Sequence, residues 1–334
     1  MQLHIVVPGL LWPKDSINEI TRGLDLPALA TLLGRGRLER HPALPLEHWL
    51  GKTFGVHDAE TPFGALRLLG EGLDPGKADW LCADPVHLRF SRDTLVVGGA
   101  AELDLTQHEA EQLAAELNTH LADYGEFIVP HPRRWYLRLQ RTARITTSVL
   151  STVTGRTIEP FLPQGDDARE WRRFINETQV LLHNHPLNAA REAEGRSMAN
   201  SLWPWGSGAL PLGAAAPAAH VHANHPLARG VTKLAGVSAS PVPARLDDAV
   251  FQSLTLLDNL SEAAQSLDAS AWRAGLAELE ANWFAPLLAA LKSRRLQHLR
   301  LTALGDAATI DVTINAGNLW KLWRRPKPLQ NIVQ

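Results

Sequence analysis

The chain has 334 residues, 45% of them hydrophobic and 20% charged, with a formal net charge of −2 at pH 7. That is enough apolar material for one large or two moderate cored domains, and the near-neutral balance removes the electrostatic case for direct binding of nucleic acid or an anionic membrane. The single cysteine, Cys82, excludes intrachain disulfides and a multi-cysteine metal site, and fits a reducing cytoplasm. The opening MQLHIVVPGLLWPKD carries an apolar run too short to span a bilayer and no basic flank, so neither a signal peptide nor a membrane partner is expected.

Leu3 to Val7 is a continuous apolar run closed by Pro8-Gly9, the pattern of a buried parallel strand. LPALATLLGRGRLER follows as a helix with Leu26, Leu29, Leu32 and Leu33 on one face and Gly34 and Gly36 at its end. Residues 41–62 lack a period and read as loop with short helices. In FGALRLLGEGLDPGKADWLCADPVHLRFSRDTLVV, Gly70, Gly72 and Pro75 form turns and Trp80 to Ala83 a strand. Asp84, His87 and Arg89 then stand either as a polar ligand pocket or as a turn in which Asp84 binds backbone N–H groups. Asp104-Leu-Thr-Gln-His-Glu-Ala-Glu is a capping signature, with Asp104 or Thr106 as cap of a helix to about Ala122.

RRWYLRLQR alternates as a half-buried strand, and Arg133, Arg134, Arg138 and Arg141 form either a phosphate-binding face or a solvated one. Thr146 to Thr154, β-branched and rich in hydroxyls, reads as another strand. From Glu170 to Pro211 runs the most specific stretch. Trp171, Phe174, Ile175, Thr178, Leu181 and Leu182 recur at helical spacing, with Glu177, Gln179 and His183 off the stripe. Pro186 ends or kinks this helix. A polar turn leads to Asn200-Ser-Leu-Trp-Pro-Trp-Gly-Ser-Gly, a strand entering a glycine loop. His183 and His185, two apart on a helix, point in different directions and make a poor zinc pair. His220, His222 and His225 lie in a small-residue loop and have the residue types for a metal cluster. Residues from about Asp247 to Leu260 read as a helix. The tail NLWKLWRRPKPL is basic and aromatic, suited to docking a partner or packing on the body.

HPLNAAREAEGRSMANSLWPWGSG resembles the "H-P-I/V-N-x-x-R-x-x-x-G-x-x-x-A-N" plus "G-x-G" segment of the archaeal-type cofactor-independent phosphoglycerate mutases, members of the alkaline phosphatase superfamily. The wider set LCADPVHLR, NE, LLHNHP and NSLWPWG is similar to the RpfE-type regulatory proteins of proteobacteria, remote relatives of those mutases. The resemblance implies an α/β fold: an alkaline-phosphatase-like core with a mainly parallel sheet sandwiched by helices, formed by residues 1–75 and 170–330, with an inserted α+β subdomain over 80–170. It implies that Asp84, His87, Arg89, Glu177, His185, Asn188, Arg191, Asn200, Trp203 and Trp205 are the ligand-binding candidates. Among them Arg191 is the best fork for phosphate or carboxylate, while Asn188 and Asn200 could instead satisfy backbone in a tight segment.

The chain departs from the mutases where they hold their metals. Their first strand ends in a ligating Asp, and Pro8 stands in that place. Counting back from Phe54-Gly55 puts Leu46 at their phosphorylated serine, with Ser16 and Thr53 the nearest hydroxyls. ANWFAPLLAALKSRRL stands for their "D-x-x-G-H-D" region without its ligands. In LRLTALGDAATIDVTI the aspartate of their "G-D-H" pair remains as Asp306, with Ala307 for the histidine. A two-metal phosphoryl-transfer site needs several such ligands around a nucleophile. The expectation is therefore a catalytically degenerate relative acting in the cytoplasm as a regulatory or binding protein, without a cofactor. Its partner would be a protein, and the resemblance implies a nucleic-acid-processing enzyme. Two alternatives stand beside it: a phosphomutase or phosphatase with a site rebuilt from His220, His222, His225 and Asp306, and a binder of small phosphates or carboxylates using Arg191, Arg89 and Asp84.

Overall fold

The computed structural model describes residues 2–56, 61–91, 93–99, 102–321 and 323–333. Residues 57–60 of the expected loop and Leu322 of the tail lie outside the described residues. The chain divides into two compact units, Met1–Trp49 with Ala215–Gln334, and Leu50–Ala214. The expected insertion spanned 80–170, so the segment from Glu170 to Pro211, assigned to the core on sequence, falls within the 50–214 unit. The strands in chain order are β1 (Gln2–Leu11), β2 (Arg37–His41), β3 (Trp80–Val86), β4 (Leu88–Ser91), β5 (Thr94–Val97), β6 (Gly125–His131) and β7 (Arg134–Leu139). They continue as β8 (Ser201–Gly208), β9 (His220–His222), β10 (Ser238–Ser240), β11 (Ser253–Leu256), β12 (His298–Gly305) and β13 (Thr309–Asn315).

In the first unit a sheet of order β10-β9-β11-β1-β12-β13-β2 is parallel from β10 to β12 and antiparallel across β13 and β2. This is the mainly parallel α/β sheet expected from sequence. Leu3, Ile5 and Val7 share one buried cluster with Leu29 and Leu32 of the helix Pro27–Arg35, Trp272 and Leu276 of Ala269–Leu279, and Leu287 and Leu291 of Ala285–Lys292. The alternation of β1 therefore fills one face of the sheet with apolar side chains. The run does not stop at Pro8-Gly9. The strand continues to Leu11 through a shift of register between Pro8 and Leu11 against β12, the local irregularity by which a sheet accepts Pro-Gly. The expected helix stops at Arg35, and RLERH becomes the edge strand β2.

The expected helix from Asp247 to Leu260 is not there. A short turn Leu246–Asp248 precedes β11, and a new helix, Ser261–Gln265, follows. The apolar run around Leu254 to Leu257 is compatible with either state, and its place between β9 and β1 decided for strand.

The second unit holds an antiparallel sheet of order β6-β7-β3-β8 and a β4-β5 hairpin. The helices Gln107–His120 and Ala168–His183 contribute Leu113, Leu117, Trp171, Phe174 and Ile175 to one buried cluster with Leu81, Trp135 and Leu137 of the sheet. Thr106 caps the first of these helices in a full capping box with Glu109. Thr146–Thr154 is not a strand: it makes isolated bridges at Thr146, to Gln164, and at Thr154, to Val97, with the short helix Leu150–Val153 between them. Its hydroxyl and carbonyl groups serve β8 instead, where Gly206 N–H donates to Thr147 Oγ1 and the Trp203 indole to the Ser148 carbonyl. Pro186 does not lead into a turn but opens a second helix, Pro186–Ala193, as its first residue. Gly206 and Gly208 lie inside β8 rather than after it. Gly206 has φ +65°, and a Cβ there would stand 2.5 Å from the Phe63 Cβ, so only glycine fits.

Candidate functional site

The central motif folds into a closed polar network. β3 is buried along its whole length, so Asp84 must find its partners inside the protein. The helix Phe63–Gly70, also buried throughout, delivers Arg67. The Arg67 guanidinium donates to both Asp84 oxygens at 2.7 and 2.8 Å, to the Tyr136 hydroxyl at 2.9 Å and to the Trp135 carbonyl at 3.2 Å. Asp84 also accepts from the Trp135 N–H at 3.1 Å and the Trp205 indole at 2.9 Å. The guanidinium carbon lies 4.6 Å from the Tyr136 ring centroid and 5.0 Å from that of Trp205, a cation–π arrangement on both sides. The Tyr136 hydroxyl donates to Glu71 at 3.1 Å, and Arg134 pairs with the same carboxylate. Burial alone would push the Glu71 carboxyl up; the bonds from Arg134 and Tyr136 outweigh it and hold the group below its usual range.

A second cluster closes around Arg191. Its side chain is 1% exposed and donates to Asp104 and Glu109, and to the Ser197 carbonyl at 2.9 Å. Arg196 reaches the same two acids. Burial works against the Glu109 charge, yet the bonds from the Thr106 N–H, Arg196 and Arg191 bring its carboxyl down to about 2.

Asn188, fully buried, donates to the carbonyls of Leu182 and Ala199 and accepts from the Ala199 N–H. Asn200 clasps Leu88, accepting its N–H at 2.7 Å and donating to its carbonyl at 2.8 Å. His87 Nδ1 lies 2.8 Å from the Met198 carbonyl, and His185 Nδ1 caps the helix Pro186–Ala193 at the Leu187 N–H. Trp203 and Trp205 are buried, not loop-borne. Arg89 is exposed, 3.9 Å from Glu102. Glu177 lines a cavity of about 480 Å³ together with Tyr124, Glu170 and Arg173. Most of the expected ligand-binding set is thus joined to its own backbone and to internal ion pairs, and of the expected basic face Arg134 in β7 and Arg141 beyond its end are likewise partnered, by Glu71 and Glu170.

In the first unit, the carboxyl ends of β11, β1 and β12 lie side by side, the place where open α/β sheets bind ligands. Leu256 is beside Val6 and Leu304 beside Pro8. Asp258 follows β11 and Asp306 follows β12, so the two carboxylates flank β1 in sequence register with Pro8 between them. Burial raises the Asp258 carboxyl above its usual value. Sequence reasoning passed over Asp258 because it read β11 as helix. The signal was the short apolar run SLTLL ending in an acid.

His220 and His222 sit in β9, not in a loop, and their side chains share a face two residues apart. Ser240 bridges them, 2.8 Å from His220 Nε2 and 2.8 Å from His222 Nδ1. The Val250 N–H donates to His222 Nε2 at 3.1 Å, so His222 carries its proton on Nδ1 and passes the hydrogen bond through Ser240 to His220. His225 is the N-cap residue of the helix Pro226–Leu234. β11 and β1 stand between β9 and the strand that leads to Asp306. Among the described residues, no group of three or more His, Cys, Asp or Glu is arranged to hold a metal ion.

No family model matches the chain. It is 41% identical over 59 residues to a 2,3-bisphosphoglycerate-independent phosphoglycerate mutase of Methanosarcina mazei, 18% of this chain and 15% of that protein. It is 27% identical over 143 residues to a probable enzyme of the same description from Geobacter sulfurreducens, 42% of this chain and 36% of that one. The matched stretches thus span between 15% and 36% of the length of these two relatives. Among solved structures, the PH0037 protein from Pyrococcus horikoshii superposes with a TM-score of 0.51 at 15% identity, covering 99% of this chain and 91% of that one, a likeness of fold. The chain is remotely similar to the cofactor-independent phosphoglycerate mutases, with a mainly parallel α/β sheet consistent with an alkaline-phosphatase-like core.

Proposed function

We propose that this chain is a catalytically degenerate phosphoglycerate-mutase-like protein, of the RpfE type, that acts as a regulatory or binding protein. The observation that carries this reading is Pro8, three residues before the carboxyl end of β1 at its register shift against β12, between the strands that lead to Asp258 and Asp306. A two-metal transfer centre needs several oxygen and nitrogen donors converging on a nucleophile. Proline offers no side-chain donor at the centre of that edge, and the described residues there do not fit such a centre. The retained motif from Glu177 to Gly208 supports the same reading, because Asn188, Arg191, Asn200, Trp203 and Trp205 make bonds that hold the fold together.

The partner in this reading is a protein, with a nucleic-acid-processing enzyme as the class implied by the RpfE-type resemblance, and the compartment is the cytoplasm. Trp320 and Trp323, 73% and 77% exposed beside Arg324 and Arg325, give a partner an aromatic and basic surface. No helix among the described residues is long and apolar enough to cross a membrane.

One observation favours a second reading. Asp258 and Asp306 keep two carboxylates at the carboxyl edge, which would serve a phosphomutase or phosphatase with a reduced site. Elemental analysis of protein purified without chelator, beside a mutase assay with added manganese, separates the two. No bound metal and no turnover is the expected result. About two metal equivalents per chain with turnover, abolished by Asp258→Asn, would overturn the degenerate reading.

A further inference from the structure

The opposite, amino-terminal edge of the same sheet holds a cavity of about 970 Å³. Its walls come from the starts of β1, β2, β11 and β12, the end of β13 and the turn after it, all within the first unit. The volume is within the range of small-molecule sites. The lining contains Arg37, Arg300 and His298 and no aspartate or glutamate.

The amides in the wall are biased the same way. Asn315 and Asn318 cap each other, the carbonyl oxygen of each side chain accepting the backbone N–H of the other, at 3.0 and 2.9 Å. What each then turns to a ligand is its NH2 group, a donor. Arg300 is held from behind by Asp311, which receives its Nε and one terminal nitrogen, leaving the guanidinium fixed at the rim. Gln252 is held at φ 66°, a left-handed conformation that non-glycine residues rarely adopt, with its N–H donated to the Gln2 carbonyl at 2.7 Å.

His4, in the same wall, adds one directional group. Thr302 Oγ1 donates to the Asp311 carboxylate, so toward His4 it can only accept. The His4 proton is therefore on Nε2, and Nδ1 is an acceptor. Arg37 pairs with Glu39 at 2.9 Å as Arg300 does with Asp311, each keeping further N–H groups. A cavity lined by these guanidinium and amide donors, with the imidazoles of His4 and His298 beside them, is complementary to an anion carried on a polar body that has a donor of its own.

We infer that this cavity binds an organic polyanion, a small molecule bearing phosphate or carboxylate groups on a hydrogen-bonding frame of nucleotide size. The site goes beyond the regulatory reading above and does not depend on it, because none of its residues belongs to the Asp258–Pro8–Asp306 edge.

Calorimetric titration of the full chain with ATP, with citrate and with inorganic phosphate tests the inference. Arg37→Glu and Gln252→Glu serve as site variants; both positions are exposed, and thermal melts check that both variants fold. Saturable binding of ATP or citrate, weakened about tenfold or more in both variants, is expected from placing a carboxylate among the donors. Preference for ATP would assign phosphate recognition, and preference for citrate would assign carboxylate recognition. The inference is overturned if neither organic anion binds, if the folded variants bind as the natural protein does, or if inorganic phosphate matches the better of the two in affinity.

Discussion

Arg67 and Asp84 form a bidentate ion pair at 2.7 and 2.8 Å, with side chains 6% and 2% exposed. Each carboxylate oxygen of Asp84 has two donors, and the pair ties the helix Phe63–Gly70 to β3 through Asp84, to β7 through Trp135 and Tyr136 and to β8 through Trp205. A buried pair of this kind gives little net stability over an apolar replacement of both groups, but breaking it leaves a lone charge in the interior. We therefore expect Arg67→Met or Asp84→Ala to cost about 3–5 kcal/mol, read from urea midpoints, with the double variant costing clearly less than the sum. Additive losses would show that the two residues act separately.

Arg191 should behave as part of the scaffold rather than as a ligand fork. Arg191→Ala removes a buried guanidinium with its bonds to Asp104, Glu109 and the Ser197 carbonyl while Arg196 still pairs with both acids, and a loss of about 1–3 kcal/mol is expected. Thermal melts with and without added 3-phosphoglycerate provide the check. An Arg191→Ala protein as stable as the natural one, but deaf to a ligand that stabilises the natural one, would return Arg191 to the binding set.

Asn200 replaces a missing stretch of ladder by holding both polar groups of the Leu88 backbone. Asn200→Ala leaves them unpaired, and about 1–3 kcal/mol of stability should go with it. Hydrogen exchange at the Leu88 amide reports the same bond, and protection there should fall in the variant.

His4 gives the fold a pH dependence. Burial and then the Arg300 charge lower its imidazole from 6.5 to about 4, against a smaller opposing pull from Asp311. Between those values the unfolded chain binds a proton that the folded chain refuses. Stability is therefore full above about pH 6.5 and falls as the pH drops toward 4, by up to about 3 kcal/mol. His4→Gln, which keeps a donor for Thr302, should flatten the stability profile in that window. An unchanged slope between pH 6.5 and 4 in this variant would remove His4 as its source.

The tail is fastened at Gly34. The Lys327 N–H donates to the Ala30 carbonyl at 2.9 Å, and a Cβ on Gly34 would stand 2.2 Å from the Arg325 carbonyl oxygen. Gly34→Ala must displace residues 325–327, since the clash is with backbone on both sides. Faster proteolysis within the tail, with the rest of the chain resistant, is the expected outcome.

Local pattern in the sequence determined the elements whose cause is local. The stripe from Trp171 to Leu182 forms its helix because apolar side chains at 3.6-residue spacing share a face, and Thr106 with Glu109 caps its own helix three residues away. That Pro8 offers no side-chain donor was legible without any structure. The tertiary structure alone decided what Asp84, Arg191 and Asn200 do. Apart from the Ser197 carbonyl beside Arg191, their side-chain-bonded partners lie 17 to 121 residues away, and a carboxylate in a buried strand reads the same in sequence whether it faces a ligand or a guanidinium. It also decided that SLTLL is β11 and that Asp258 follows it at the carboxyl edge, because a short apolar run takes its state from the neighbours it pairs with. The donor-lined cavity at the other edge has no sequence signature. It is assembled from the ends of five strands that only the sheet order brings together.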